Sequence, residues 1–205
     1  QRLTRLLPGN ASAVQAETIL LVGSQGGSTW AYARQLHSQL VASGMRVHSA
    51  SMNQLQSSYP QAKRLLILTA TYGDGQAPDS ARTFLPRLEH SHLNANLQVA
   101  VLGFGDAQFQ HFCGYAEQVQ QQLQQRGLQA LLPLQKIDRG ALSELSGWAQ
   151  RLGQSLDLDL HFTPVRNAVA LQQLQPLSKE VYGEHSDSPA AILRFAVHAA
   201  QSSWR

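Results

Sequence analysis

The chain has 205 residues, of which 43% are hydrophobic and 14% are charged. This composition is typical of a globular protein with one full core and room for a tail or a partial second domain, and it argues against a disordered chain. The formal net charge of +3 comes from scattered Lys and Arg residues without a dense basic run, which argues against nucleic-acid binding.

The sequence gives little support for a membrane-spanning segment or for a disulfide bond. The longest apolar runs, such as residues 65–68, are too short to cross a bilayer, and a single cysteine, Cys113, cannot form an internal disulfide. We therefore expect a cytoplasmic protein. The chain does not begin with Met and shows no secretory signal, so we expect an excised fragment, and attachment to a membrane through a missing upstream segment stays open.

The apolar pattern predicts strands alternating with helices. Residues 1–16 are polar and turn-rich and are predicted to be a leader or linker, before the alternation begins at residue 17. Apolar runs predict five strands at residues 18–23, 46–51, 65–70, 97–103 and 128–134. Helices are predicted between them and after the last strand, at residues 30–43, 80–88, 116–126 and 145–156. This order predicts an open parallel sheet with helices on both faces over residues 17–157.

The last part of the chain is different in character. Residues 158–190 contain three prolines and few periodic apolar positions, which predicts a linker. Residues 191–205 begin with the alternating run Ile192–His198, which is typical of the first strand of another domain. The alternative is a C-terminal strand or tail that packs on the first domain.

Three loops follow strands whose carboxyl ends should share one edge of the sheet, where such folds bind ligands. The first, the phosphate loop (residues 23–29, GSQGGST), combines glycines, hydroxyl side chains and a helix N-terminus, a combination that can hold a phosphate without Lys or Arg. The second, the Tyr72 loop (residues 70–78), and the third, the Phe109 loop (residues 103–113), each carry an aromatic residue. Rings at two neighbouring strand ends favour a planar cofactor held between them.

These motifs resemble the FMN domain of diflavin reductases, such as NADPH–sulfite reductase flavoproteins and microsomal NADPH–cytochrome reductases. The family patterns run approximately G-S-Q-T-G-T, A-T-Y-G-x-G and G-L-G-N-x-x-Y-x-H-F, in the order found here. The resemblance implies a flavodoxin-like α/β sandwich with a five-stranded parallel sheet of order 2-1-3-4-5. It also implies bound FMN, and single-electron relay from an FAD/NADPH reductase module of the same full-length chain to an unknown acceptor. On this resemblance, residues 191–205 would be the start of a truncated FAD-binding module.

The resemblance further implies which residues contact FMN. The phosphate would be enclosed by Ser24, Gln25, Gly26, Gly27, Ser28 and Thr29. Tyr72 and Phe109 would cover the two faces of the isoalloxazine ring, and Gly73 would approach its N5 atom. The remaining implied site residues are Ala70, Thr71, Asp74, Gly75, Gly103, Phe104, Gly105, Asp106, His111, Phe112, Cys113 and Asp138. No catalytic acid or base and no metal ligand is assigned.

The chain departs from the family pattern in the phosphate loop and in the Phe109 loop. Gly26 and Ser28 replace two threonines, and Phe109 replaces the usual tyrosine, which keeps a stacking surface but loses a phenolic hydrogen bond. Cys113 is interpreted either as a small residue packed at a helix start or as a reactive thiol. Two other functions stay open: a free-standing NAD(P)H:quinone oxidoreductase of the same fold, and a binding module that has lost its flavin.

Overall fold

A computed structural model describes residues 7–165, 175–182 and 190–196. The chain divides into two compact units, Gln1–Val165 and Arg166–Arg205, which are described separately. In the described part of the chain, no helix is both long enough and apolar enough to span a bilayer.

The first unit alternates strands and helices as the apolar pattern predicts. Its strands are β1 (Thr18–Gly23), β2 (Val47–Ser51), β3 (Arg64–Ala70), β4 (Gln98–Gly105), β5 (Gln129–Ala130) and β6 (Gln135–Asp138). Its helices are α1 (Ser28–Ala42), α2 (Phe84–Glu89), α3 (Gly114–Gln125) and α4 (Leu142–Leu156). Short 3-10 turns cover Met52–Gln54 and Asp79–Ala81, so the helix predicted at residues 80–88 is divided into a turn and the short α2.

All strand pairs of the first unit are parallel, in the order β2-β1-β3-β4-β5, which confirms the predicted topology. The central strands are buried on both faces because alternate side chains enter two different cores. Leu20 and Val22 of β1 face the core formed with α1 and α4, whereas Ile19 and Leu21 face the core formed with α2 and α3. The continuous apolar runs that predicted these strands therefore reflect helices on both sides of the sheet.

The fifth strand differs from the single strand predicted at residues 128–134. Gln129 pairs with Gln98 of β4, and farther along the same strand Gln135 pairs with Leu102. Four residues, 131–134, thus lie opposite two residues of β4, and the chain bulges away between β5 and β6. Pro133 has no N–H group and cannot donate to the ladder, which accounts for the interruption.

The end of the predicted leader packs on the first unit. Leu7 and Ala16 are buried, and the Ala11 N–H donates to the Val47 carbonyl of edge strand β2 at 2.8 Å. The Asn10 side chain bonds both the N–H and the carbonyl of Ser49, at 2.7 and 3.2 Å. Residues 7–16 therefore cover the open edge of the sheet, which the polar composition of this segment did not indicate.

A buried histidine joins this segment to α1 and is expected to make stability depend on pH. His37 Nε2 lies 3.1 Å from the Pro8 carbonyl, so it carries the proton and donates, while Nδ1 accepts from the Ser49 hydroxyl at 2.7 Å. Burial lowers the pKa of His37 below its usual 6.5, against a smaller opposing effect of the bond to Pro8. As pH falls past 6.5 the unfolded chain therefore binds a proton before the folded chain does.

We accordingly expect the free energy of unfolding of the first unit to be constant above about pH 7.5 and to fall as the pH drops through 6.5. Urea unfolding followed by tryptophan fluorescence at several pH values measures this. The His37→Leu variant should be less stable at neutral pH but show a flatter pH profile, whereas the exposed His92→Gln control should keep the wild-type slope. An unchanged slope in His37→Leu would contradict the assignment.

Residues 158–165, predicted as the start of a linker, instead form a strap along α1. Two glutamine side chains one helical turn apart bond its backbone on both sides. Gln39 donates to the His161 carbonyl at 2.7 Å and accepts from its N–H at 3.0 Å. Gln35 likewise bonds the carbonyl and N–H of Thr163, at 3.2 and 2.8 Å. The alternate residues Leu160 and Phe162 are buried in the core between α1 and α4.

The described part of the second unit is an antiparallel pair of strands, β7 (Gln175–Tyr182) and β8 (Ala190–Ala196). Glu180 of β7 accepts hydrogen bonds from Arg194 of β8 and from the Tyr182 hydroxyl. β7 lies inside the predicted linker at 158–190, and β8 falls on the predicted apolar run. Alternation of apolar and polar residues is weaker in β7, which contains Pro176, and this is why the sequence did not indicate it. Residues 197–205 lie outside the described part of the chain.

Candidate functional site

The three candidate loops emerge side by side at the carboxyl edge of the sheet. Gly23 of β1 is in register with Thr69 of β3, which is in register with Gly103 of β4. The loops after these three strands therefore leave the sheet at the same level, next to one another, as the sequence predicts. Their side chains determine what this edge can bind.

The phosphate loop leads into α1 through Gly27, which has a backbone conformation that favours glycine. Gly27 has φ of +92°, and its N–H donates to the Ser24 side-chain oxygen at 2.9 Å. A Cβ added at Gly26 or Gly27 would meet no atom within 4 Å. The backbone at the N-terminus of α1 is thus open on one side, where its unpaired N–H groups and the helix dipole favour an anion.

The phosphate loop is fixed from behind by the turn that precedes α2. The Ser24 N–H donates to the Ser80 side-chain oxygen at 2.7 Å. Gln25 and Asp79 bond reciprocally, with the Gln25 amide donating to the carboxylate at 2.9 Å and the Asp79 N–H donating to Gln25 at 2.8 Å. The side chain of Gln25, predicted to contact a phosphate, is therefore used to position the loop. Nothing in the sequence pattern singled out Ser80.

The burial and bonding of two hydroxyl groups indicate whether the carboxyl edge of the sheet can bind a ligand. Thr29 lies in the first turn of α1 and Thr71 follows β3. The side-chain oxygens of both are buried and have no hydrogen-bond partner among the described residues. A buried hydroxyl without a partner costs free energy, and such groups in native proteins usually mark a ligand or function. Two of them at one sheet edge, beside the open amides of the phosphate loop, fit a phosphorylated ligand.

The Tyr72 loop is a tight five-residue turn. The Tyr72 N–H donates to the Gln76 carbonyl at 2.9 Å, and the Gln76 N–H donates back at 2.8 Å. Gly73 and Gly75 have φ of +52° and +92°, values that the turn requires and that glycine adopts without strain. The Tyr72 side chain is 48% exposed.

The Phe109 loop is held by two carboxylates. Asp106 accepts from the Gln108 N–H at 2.9 Å, and Asp138, at the end of β6, accepts from the Ala107 N–H at 2.9 Å. The bond from Ala107 lowers the pKa of the Asp138 carboxyl below its usual value, with a further contribution from Arg139. Asp138 thus acts on the loop backbone. The Phe109 side chain is 54% exposed.

Tyr72 and Phe109 are the two exposed aromatic side chains of residues 7–165. Every other aromatic residue in that range is buried or half-buried. The structure thus presents two apolar rings on neighbouring loops next to the phosphate loop, as the sequence predicts. Exposed rings grouped in this way are typical of a ligand-binding surface.

Several predicted site residues also make contacts within the fold. Phe104 is 9% exposed and stacks on Tyr32 of α1, with ring centroids 5.5 Å apart. Gly103 makes close contact with α3, because a Cβ there would lie 2.6 Å from Ala116 Cβ. Phe112 is half-buried against the core on the α2–α3 side. Ala70 is the last residue of β3, and Gly105, the last of β4, lies against the backbone of the α3 start.

Cys113 is a structural residue. It is buried at the N-cap of α3, and burial raises the pKa of its thiol to about 11. The nucleophilic thiolate is therefore scarce at neutral pH. Of the two interpretations of Cys113 left open by the sequence, the structure favours the packed residue. In the described part of the chain, no group of His, Cys, Asp and Glu side chains has the arrangement of a metal site.

Comparison with known proteins gives consistent matches. The flavodoxin family profile matches residues 20–147. The sulfite reductase [NADPH] flavoprotein alpha-component of Shewanella sp. strain MR-4 is 36% identical over 141 residues, which cover 66% of this chain and 23% of that protein. The protein of the same name from Shewanella oneidensis is 32% identical over 178 residues, covering 85% of this chain and 29% of that one. The chain thus spans about a quarter of the length of these relatives.

Solved structures show the same fold. Oxidised Flavodoxin 2 from Bacillus cereus superimposes with a TM-score of 0.58 and 24% identity, over 68% of this chain and 99% of that one. Oxidised Flavodoxin 1 from the same organism gives a TM-score of 0.56 at 18% identity, over 66% and 96% of the two chains. The predicted flavodoxin-like fold and the predicted kinship with reductase flavoproteins are both confirmed. This chain belongs to the flavodoxin family of FMN-binding electron-transfer proteins.

Proposed function

We propose that this chain binds FMN across the three loops and relays single electrons from an FAD/NADPH reductase module to an acceptor. The observation that carries the proposal is the pair of exposed rings, Tyr72 and Phe109, on neighbouring loops beside an open helix N-terminus. A flat ring with a phosphate at the end of a flexible side chain matches both parts of this surface. The chemistry that the flavin supplies when bound is reversible one- and two-electron transfer.

The phosphate end of the site would rely on backbone and hydroxyl donors. The groups available there are the backbone N–H groups around Gly26 and the first turn of α1, the helix dipole of α1 and the Thr29 hydroxyl. Residues 23–29 contain no Lys or Arg, so the site would neutralise the phosphate charge through oriented dipoles. The bonds from Ser80 and Asp79 hold these donors in place before the ligand arrives.

The ring end would rely on burial of apolar surface. Tyr72 and Phe109 are each about half exposed and would lose that exposure against the two faces of a flat ring. Covering the ring would exclude water from its faces and leave an edge open for electron transfer. On this assignment the phosphate loop and the two rings contact the cofactor, whereas Gln25, Ser80 and Asp138 position the loops.

We also propose that this domain is part of a longer reductase protein. The relatives that this chain matches are named as NADPH-dependent sulfite reductase flavoprotein components and are about four times as long as the matched region. We infer that the electrons originate from NADPH and reach this domain through an FAD-binding module in the same full-length chain, of which β8 would be an early strand. The setting would be the cytoplasm or the cytoplasmic face of a membrane.

A flavin titration followed by anaerobic reduction tests the proposal. FMN should bind the purified chain with quenching of flavin fluorescence, and stepwise reduction with dithionite should pass through a stable one-electron stage. Direct reduction of the bound flavin by NADPH would instead favour the quinone-oxidoreductase alternative. A chain that stays colourless at micromolar FMN would overturn the proposal and leave a flavin-free module of this fold.

A further inference from the structure

An exposed side-chain hydrogen bond joins the two loops that carry the aromatic rings. Asp74, at the tip of the Tyr72 loop, lies 2.8 Å from Nδ1 of His111 in the Phe109 loop. Both side chains are more than half exposed. The hydrogen bond from His111 lowers the pKa of the Asp74 carboxyl below its usual value. The contact links residues 37 positions apart, and core packing does not require either side chain.

Beneath this pair, the backbone of the Tyr72 loop packs closely against the end of the Phe109 loop and the start of α3. A Cβ added at Gly75 would lie 3.0 Å from the His111 Cβ, and one added at Gly114 would lie 3.2 Å from the Gly75 Cα. Gly75 also has φ of +92°, so this position is suited to glycine on two grounds. The tip of the Tyr72 loop therefore rests directly on the start of α3, with the Asp74–His111 hydrogen bond alongside.

Apart from this contact, the Tyr72 loop has few attachments to its neighbour. Its main hydrogen bonds, between Tyr72 and Gln76, are internal, and the bond from the Thr71 N–H to the Phe104 carbonyl at 2.9 Å lies at its base. The close packing of Gly75 on His111 and Gly114 seats the tip, and the bond between Asp74 and His111 is the side-chain hydrogen bond that ties the tip to the Phe109 loop.

We propose that Asp74 and His111 are positioning residues that clamp the Tyr72 loop to the Phe109 loop, and so preform the slot for the flavin ring. The inference rests on the proposed function for its ligand, but the clamp itself exists without ligand. A slot that is held in its binding geometry costs less free energy to fill than one that must be ordered on binding. The pair acts on the ring through the two loops and does not itself contact it.

Charged side chains on the neighbouring elements have partners of their own. Glu117 of α3 pairs with Lys136 of β6, and Asp106 lies 4.0 Å from Arg139. Asp74 is the carboxylate that contacts His111, at 2.8 Å.

Hydrogen exchange on the flavin-free chain tests the clamp by itself. In Asp74→Asn and in His111→Gln, the amides of Gln76 and Gly114 should exchange faster together, while amides of the β-sheet core remain unchanged. The matched control Glu89→Gln, which removes a carboxylate at the end of α2, should leave the exchange of both loops at the wild-type rate. Wild-type exchange in both clamp variants would overturn the proposal whether or not the chain binds flavin.

Flavin titrations test the consequence. The clamp orders the slot for the flavin ring, which riboflavin and FMN share. Each variant should therefore bind both flavins about 2- to 5-fold more weakly, by the same factor for each. The double variant should be no weaker than either single one, since both remove the same contact. Additive single effects would overturn the clamp, whereas failure of the wild type to bind either flavin would count against the proposed function.

Discussion

Thr29→Val is expected to weaken FMN binding about 10- to 100-fold and to leave riboflavin binding unchanged. The Thr29 hydroxyl is buried at the start of α1 without a partner among the described residues, so it is available to donate to a phosphate oxygen. A hydrogen bond to a charged group contributes about 1.5–3 kcal/mol, which gives this range. Valine preserves the shape of threonine but cannot donate. Fluorescence-quenching titrations with the two flavins measure both affinities.

The same substitution separates binding from folding. Since the hydroxyl makes no bond within the described chain, Thr29→Val should not lower the free energy of unfolding of the flavin-free protein. Ser155→Ala, which removes a hydroxyl from the exposed face of α4, serves as a control that should alter neither property. An equal loss of riboflavin and FMN affinity in Thr29→Val would show that the residue shapes the ring slot rather than binding the phosphate.

Phe162→Ala is expected to lower the free energy of unfolding of the first unit by about 3 kcal/mol. Phe162 is 6% exposed, meets Tyr32 edge-on at 5.7 Å and stacks on Trp148 at 6.3 Å. Truncating it leaves a cavity between α1 and α4. If this segment were a linker, as the sequence predicted, truncating the side chain would leave the free energy of unfolding almost unchanged. Urea unfolding followed by fluorescence of Trp148, which lies against the cavity, measures the change.

Phe109→Ala is the matched control for the same side-chain truncation. Phe109 is 54% exposed, so its loss should leave the stability of the flavin-free chain almost unchanged. The substitution should instead weaken the binding of both FMN and riboflavin about 2- to 10-fold, because the contact with the flavin ring is lost. Phe162→Ala should show the opposite pattern when the protein is kept below its unfolding midpoint. If the two variants behave alike, either the strap or the ring slot has been assigned incorrectly.

The sequence was most informative where a residue type has few alternative uses. Apolar runs such as Leu65–Leu68 are typical of strands covered on both faces, and the structure places them there. The glycine and hydroxyl pattern of residues 23–29 predicted an anion-binding turn, and Gly27 adopts the positive φ that such a turn needs. The order of the motifs then placed all three loops at one edge, because parallel strands bring their carboxyl ends together.

Sequence reasoning failed where a residue's role depends on a distant partner. Gln25 belongs to a phosphate-binding motif, yet its amide bonds Asp79, which lies 54 positions away. Residues 158–165 were predicted as the start of a linker because the segment 158–190 contains three prolines and few periodic apolar positions. Gln35 and Gln39 nevertheless bind that backbone from α1, and no local pattern encodes such a bond. The fifth strand was predicted as continuous because its bulge depends on register with β4.

The sequence by itself therefore determined the alternation of strands and helices, the sheet that this alternation implies, and the three loops that can receive a cofactor. Local periodicity and turn chemistry suffice for these features, since each depends on residues close together in the chain. Only the tertiary structure decided which loop residues face the site and which hold it. Phe104 and Phe109 lie five positions apart in one loop, yet the first stacks on Tyr32 in the core and the second is exposed. That difference depends on contacts with α1, which are set by folding of the whole unit and cannot be read from the loop alone.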